Sequence, residues 1–270
     1  MMNPFKVERF MFYKGRKLYG FYVEGYSKPG VLENMTDIIT RGGVDITYLT
    51  LGPVRRGEKG GVVLFLDFTN ATIEPEKLAD ELKALEFIER VEVTKPRWEG
   101  FIADETSFPV MLGPHRAVIL CEPALRGLLI EFRRRLGSGG EAMLYHIGRE
   151  MGAEMTRHIL RSEEELGDIS LRGKFALGGV LLRTLGYGIP EEVEFREDPP
   201  YLKVRIYNCI ECELSGSANR SFSHFIRGII AGYASRLFNR EMFAEETRCL
   251  AMGDPYCEFE VKPREKSRGW

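Results

Sequence analysis

The spacing of apolar residues changes several times along the chain, and each change marks an element. Residues Lys17 to Tyr26 form an aromatic run bounded by turn formers, as a strand requires. After Pro29-Gly30, the apolar positions Val31, Leu32, Met35, Ile38 and Ile39 have helical spacing, and Gly42-Gly43 closes that helix. Val44, Ile46 and Tyr48 then alternate as a strand. A Gly/Arg loop from Gly52 to Gly61 leads into a further strand, Val62 to Phe68. Pro75 stands where a first helical turn accepts proline, with Leu78, Leu82, Leu85 and Ile88 behind it. Arg90 to Thr94 supplies a last strand. The order β-α-β-β-α-β predicts a ferredoxin-like domain over residues 1–96.

Residues 97–113 mix Pro, Gly and acidic residues without a period and read as a linker. The second region, residues 114–263, predicts a strand at Arg116–Cys121 and helices at Pro123–Leu136, Glu141–Arg161, Leu171–Leu185 and Phe222–Phe238. Its further strands are Val193–Phe195 and Leu202–Tyr207. A closing hairpin sets Met242–Met252 against Tyr256–Val261, turning at Gly253-Asp254-Pro255. Residues 264–270 read as a tail. The whole is α+β: a ferredoxin-like βαββαβ domain, then an α/β ligand-binding domain with antiparallel strands and long helices. Gly148 and Gly152, one turn apart, let another backbone approach closely, and the helix at Phe222–Phe238 carries glycines at Gly228 and Gly232.

Composition narrows the function. Lys and Arg number 38 against 40 Asp and Glu, for a net charge of -2, which argues against a nucleic-acid binder. No apolar run has the length of a membrane span and no secretion signal opens the chain, so a soluble cytoplasmic protein is expected. The chain contains no glutamine, a bias that a thermophile would show. Five cysteines speak against a secreted disulfide scaffold, with metal binding or simple burial as the alternatives.

Two stretches resemble known families. Ser27-Lys28-Pro29-Gly30-Val31-Leu32, with Gly43-Val44-Asp45-Ile46 after it, resembles the ACT domain over roughly residues 18–95. That resemblance implies a small-molecule or dimerisation site at Pro29, Gly30, Val31 and Leu32, although Ser27 stands where the family often has Asp. Farther on, His224-Phe225-Ile226-Arg227-Gly228-Ile229-Ile230-Ala231-Gly232 is followed by Glu245-Glu246-Thr247-Arg248-Cys249 and by Gly253-Asp254-Pro255-Tyr256-Cys257-Glu258-Phe259. Together these resemble the 4-vinyl-reductase-type domain, a family that includes aromatic-effector sensing domains and relatives of Golgi transport tethers.

With Gly253 at the hairpin centre, Cys249 and Cys257 are expected to lie opposite one another. Two thiols so placed can share a zinc ion, form a disulfide, or be simply buried. The resemblance makes Glu246 a third ligand. Strand alternation instead places Glu245 on the face of Cys249, so Glu246 requires a bulge. The family's remaining ligand, a Cys, falls on Ser223, a poor zinc ligand. Cys212, Cys209 and His224 are the nearby substitutes, and Cys209-x-x-Cys212 at a strand end is itself a candidate half-site.

The resemblances imply a binding module: a homodimeric sensor for a small apolar or aromatic ligand, with a structural zinc ion and a protein partner for its output. It is expected to make no direct contact with nucleic acid or membrane and to catalyse nothing itself. The rivals are an enzyme, either a vinyl reductase or a zinc hydrolase, and a trafficking-type scaffold. No dinucleotide fingerprint accompanies the domain to supply a hydride donor.

Overall fold

The computed structural model describes residues 4–161, 167 and 169–264. The chain divides into two compact units, Met1–Val118 and Ile119–Trp270.

In the first unit, strands Leu18–Tyr26, Asp45–Leu51, Lys59–Asp67 and Ile88–Thr94 form one antiparallel sheet. The second strand in sequence lies at one edge, followed by the third, the first and the fourth, which is ferredoxin-like topology. Alternation along the first strand decides what each face carries. Phe21 and Val23 meet Met35, Ile38 and Ile39 of helix Val31–Arg41 and Leu78 and Leu82 of helix Pro75–Lys83. Leu18 points to the opposite face, where it is buried with Val63, Phe65 and Ile102.

Ile102 belongs to strand Phe101–Ala103, which pairs with Phe10–Phe12 in a two-stranded ribbon. This pairing, together with a unit boundary after Val118, sets residues 97–113 within the first unit. Asp104 anchors the ribbon: its carboxylate accepts from the Thr106 and Ser107 backbone N–H groups and pairs with Arg9 at 2.6 Å.

The second unit packs helices against another four-stranded antiparallel sheet. Its order is Met242–Arg248, Cys257–Pro263, Tyr201–Tyr207, Ile189–Arg196. Helix Ser138–Arg161 lies along helix His224–Leu237, whose buried residues occur all around its axis, so it forms the centre of the core. A Cβ at Gly148 or Gly152 would collide with the carbonyl of Phe225 or Ile229. One at Gly228 or Gly232 would meet that of Tyr145 or Arg149. These contacts advance together along both helices, which therefore run in the same direction at close range.

Several expectations are corrected. Residues 117–121 form no strand; only His115–Arg116 pairs, with Met111–Leu112. The helix expected at Pro123–Leu136 spans Glu122–Leu136 but widens into a π-helical turn over Arg126–Glu131. A short helix, Ile210–Ser215, follows the central strand Tyr201–Tyr207 and places Cys209 at its N-cap. The last hairpin does not run straight through to Gly253: residues Leu250–Met252 form a 3-10 turn.

Candidate metal centre

Three separate parts of the second unit converge under its central helix. Cys212 comes from the short helix, Glu246 from strand Met242–Arg248, and Cys249 and Cys257 from either side of the Leu250–Met252 turn. Their ligand atoms all lie within 4.8 Å of one another. Cys212 Sγ is 3.6 Å from Cys249 Sγ and 3.5 Å from Cys257 Sγ. A disulfide would need about 2.05 Å, and all five cysteines are free. A tetrahedral zinc ion with sulfur ligands at about 2.3 Å spaces them by about 3.8 Å, close to the separations found. Three thiols and a carboxylate are a donor set that suits such an ion.

Local geometry brings each donor inward. Ala244 and Glu246 face Val261 and Phe259 across the ladder, on the buried side. Regular alternation would next turn residue 248 inward. The register shifts between Glu246 and Arg248, leaving Thr247 as the extra residue and bringing Cys249 onto the inner side. The Thr247 hydroxyl secures the bulge by donating to the Glu258 carboxylate at 3.1 Å.

Cys249 and Cys257 are not paired across the ladder as expected. Cys257 lies opposite Ile206 on the central strand, and the 3-10 turn bends Cys249 back toward it. Asp254 fixes that bend by accepting the Cys249 backbone N–H at 2.8 Å. The Leu250 N–H points at Cys257 Sγ at 3.4 Å.

Ser223, fully buried, stands among these groups without replacing them. Its backbone N–H and its hydroxyl both donate to the Glu246 carboxylate, at 3.0 and 2.8 Å. The hydroxyl is also 3.0 Å from Cys212 Sγ, 3.4 Å from Cys257 Sγ and 3.6 Å from Cys209 Sγ. Cys209 is thus adjacent to the cluster but outside the set of four converging donors. Glu245 faces away, opposite Glu260. His224, the remaining substitute, turns elsewhere, toward Arg227 and Glu141.

The electrostatics follow from crowding thiols in a dry interior. Hydrogen bonds from Cys209, Cys249 and Cys257 hold the Cys212 thiol far below the ordinary thiol range. The same contacts raise its neighbours, Cys249 to about 12 and Cys257 well above its usual value. Burial raises Glu246 as well. One thiolate is favoured and each further negative charge is opposed, a balance that a divalent cation reverses by deprotonating its ligands.

Glu211 carries no signal of its own in the sequence and Asp254 only that of a turn residue, yet both position the centre. Glu211, fully buried, accepts the N–H groups of Phe225 and Ile226 at 3.2 and 3.0 Å and so caps the central helix. Burial pushes its carboxyl up to about 8, against the pull of those two backbone donors. The Gly-Asp pair before Cys257 was the available clue to Asp254.

Elsewhere in this unit, Met155, Phe175, Leu182, Ile206, Ile229 and Tyr233 line an apolar cavity of about 50 Å³. In the first unit, Gly30, Val31 and Leu32 line an open cleft of about 280 Å³, and Pro29 is not among its walls. Among the described residues, no helix is long and apolar enough to cross a membrane.

A family model for the 4-vinyl-reductase domain matches residues 202–263, the stretch that contains all four converging donors. An uncharacterized protein of Methanocaldococcus jannaschii is 33% identical over 131 residues, which cover 48% of this chain and 69% of that one. A second uncharacterized protein of the same organism is 26% identical over 133 residues, 49% and 71% of the two chains. Among solved structures, the phenol-responsive sensory domain of the transcription activator PoxR with phenol aligns at a TM-score of 0.52 and 20% identity. That alignment covers 58% of this chain and 82% of that one, and shows a shared fold. With the matched family model, the converging donors and a relative at this level of identity, the chain belongs to the 4-vinyl-reductase domain family.

Proposed function

We propose that this protein is a small-molecule sensor whose second unit encloses an apolar or aromatic ligand and is braced by a structural zinc ion. The observation that carries this reading is the apolar cavity between helices Ser138–Arg161, Leu171–Thr184 and His224–Leu237 and the central strand. Eleven of its twelve lining residues are apolar or glycine, and the exception, Tyr233, already donates its hydroxyl to the Lys174 carbonyl. Such a lining suits an apolar guest. The shared fold with a phenol-responsive domain supports the same class of ligand.

Cys212, Glu246, Cys249 and Cys257 would hold the zinc. Four protein donors complete a tetrahedron and leave no position for a reacting water, which favours a structural over a catalytic metal. The ion would fasten the short helix to the hairpin beneath the ligand-binding helices. The sensor would act in the cytoplasm as a homodimer and signal through a protein partner. The cleft at Gly30–Leu32 would bind a second small molecule or join subunits.

Metal analysis with thiol counting, on protein purified without chelator, tests the zinc. About one zinc per chain, lost together with thermal stability in Cys257→Ser, is expected. Metal-free protein with five titratable thiols and an unchanged melting temperature in that variant would overturn it. A thermal-shift panel of small aromatics tests the sensor, with a concentration-dependent rise in melting temperature expected. No rise with any compound would overturn it.

A further inference from the structure

The apolar cavity does not stand alone. Beside it lies a surface groove of about 250 Å³. Phe175, Gly179, Pro190 and Val204 line both spaces. The two therefore share one wall, between helix Leu171–Thr184 and strand Ile189–Arg196.

Size and polarity dictate how a ligand would lie. At about 50 Å³ the inner space is too small for most ligands, since ligand sites begin at about 300 Å³. A guest that reaches inward must leave its other end in the groove. The inner end must be apolar, because the one polar side-chain atom there, the Tyr233 hydroxyl, is already committed. The groove differs: it carries two charged side chains, Arg183 and Glu192. Glu192 is taken by Arg172, with contacts of 3.0 and 2.5 Å. Arg183 is exposed and makes no ion pair among the described residues. The charge left for a ligand at the mouth is therefore positive.

We propose that the ligand of the second unit is an amphipathic carboxylic acid that enters through this groove, its apolar end in the cavity and its carboxylate against Arg183. This rests on the ligand-binding reading above and adds to it the route, the orientation and the chemical class. Arginine suits the role, since its guanidinium stays charged and can grip a carboxylate through two parallel hydrogen bonds.

The test is calorimetric titration of the full chain with a matched pair, 4-methylbenzoate and its methyl ester, which share a body and differ in charge. The acid is expected to bind at least tenfold more tightly than the ester. Arg183→Gln should bring the acid down to the affinity of the ester and leave the ester unchanged. In Gly179→Val the new Cβ has ordinary contact room, 3.4 Å from Pro190 Cγ, but the side chain fills the shared wall. That variant should lose both ligands while retaining its circular-dichroism spectrum. Equal binding of acid and ester, or a preference that survives Arg183→Gln, overturns the carboxylate assignment and leaves the sensor standing. Failure of both compounds to bind the unmodified chain overturns this proposal, and the reading on which it rests falls with it only when the thermal-shift panel also shows no rise.

Discussion

Ser223 would matter to a metal held by the four converging donors without being a ligand itself. Its two donors orient both oxygens of Glu246, and hydrogen bonds of this kind hold metal-bound carboxylates in position. Ser223→Ala is expected to weaken zinc binding about 10- to 100-fold, read by competition with a chromophoric chelator; unchanged affinity would mean that Glu246 needs no anchor. Asp104 governs a different response. Burial alone would raise its carboxyl, but the Ser107 and Thr106 donors and Arg9 hold it below the ordinary value. A depressed carboxyl contributes stability that is present above its unfolded pKa and lost as pH falls through the folded one. Asp104→Asn should therefore cost about 2 kcal/mol near neutrality, a cost that shrinks on acidification below about pH 4. Urea titrations near neutrality and in acid would show it, and an equal cost in both would contradict it. At this scale the sequence was only partly legible. The Glu-x-x-Cys spacing already demanded a bulge, and Thr247 provides one. Cys212 could not be singled out from Cys209, because a six-residue helix has too few turns to show a period.

At the scale of elements, the parallel pairing of helices Ser138–Arg161 and His224–Leu237 depends on four glycines. In an isolated helix, Gly→Ala would add about 1 kcal/mol of stability. Here the added methyl group at Gly232 meets the Arg149 carbonyl, and such overpacking costs about 1–3 kcal/mol or more. Gly232→Ala should therefore destabilise the unit, by about 2 kcal/mol in a urea midpoint shift; stabilisation would show that the helices separate freely. The two glycine pairs were legible because both lie one turn apart on strongly periodic segments. The hairpin was not. Its expected centre at Gly253 would have paired Cys249 with Cys257, but the 3-10 turn at Leu250–Met252 ends the ladder at Arg248–Glu258. Apolar Leu250, Ala251 and Met252 continue the strand pattern in composition, so alternation alone carried no stop signal.

Over the whole molecule, the two largest hydrophobic clusters among the described residues are formed by separate stretches of chain, one under the ferredoxin-like sheet and one around the central helix of the second unit. Zinc would tie only the second. Chelation should raise amide hydrogen exchange in residues 201–263 and leave residues 18–94 unchanged, as followed by mass spectrometry. A rise spread evenly over both stretches would show that the units unfold as one. The order of elements over residues 18–94 was readable from its periods, because each strand and helix there is regular, whereas the ribbon strands Phe10–Phe12 and Phe101–Ala103 gave no such signal. What stayed open in the second unit depended on contacts between residues far apart in the chain.

That separation has a consequence for the making of the protein. Cys212 and Cys257 are 45 residues apart, and the strand that begins with Cys257 is also the one that joins Met242–Arg248 to Tyr201–Tyr207. At the pace of a ribosome, about 5–20 residues per second, the nascent chain spends on the order of several seconds with its first thiols made and the sheet still lacking its connecting strand. During that interval Cys209, Cys212 and Cys249 emerge as ordinary reactive thiols. The final strand delivers the last sulfur and closes the sheet together, so capture of a metal at these donors would coincide in time with completion of the fold.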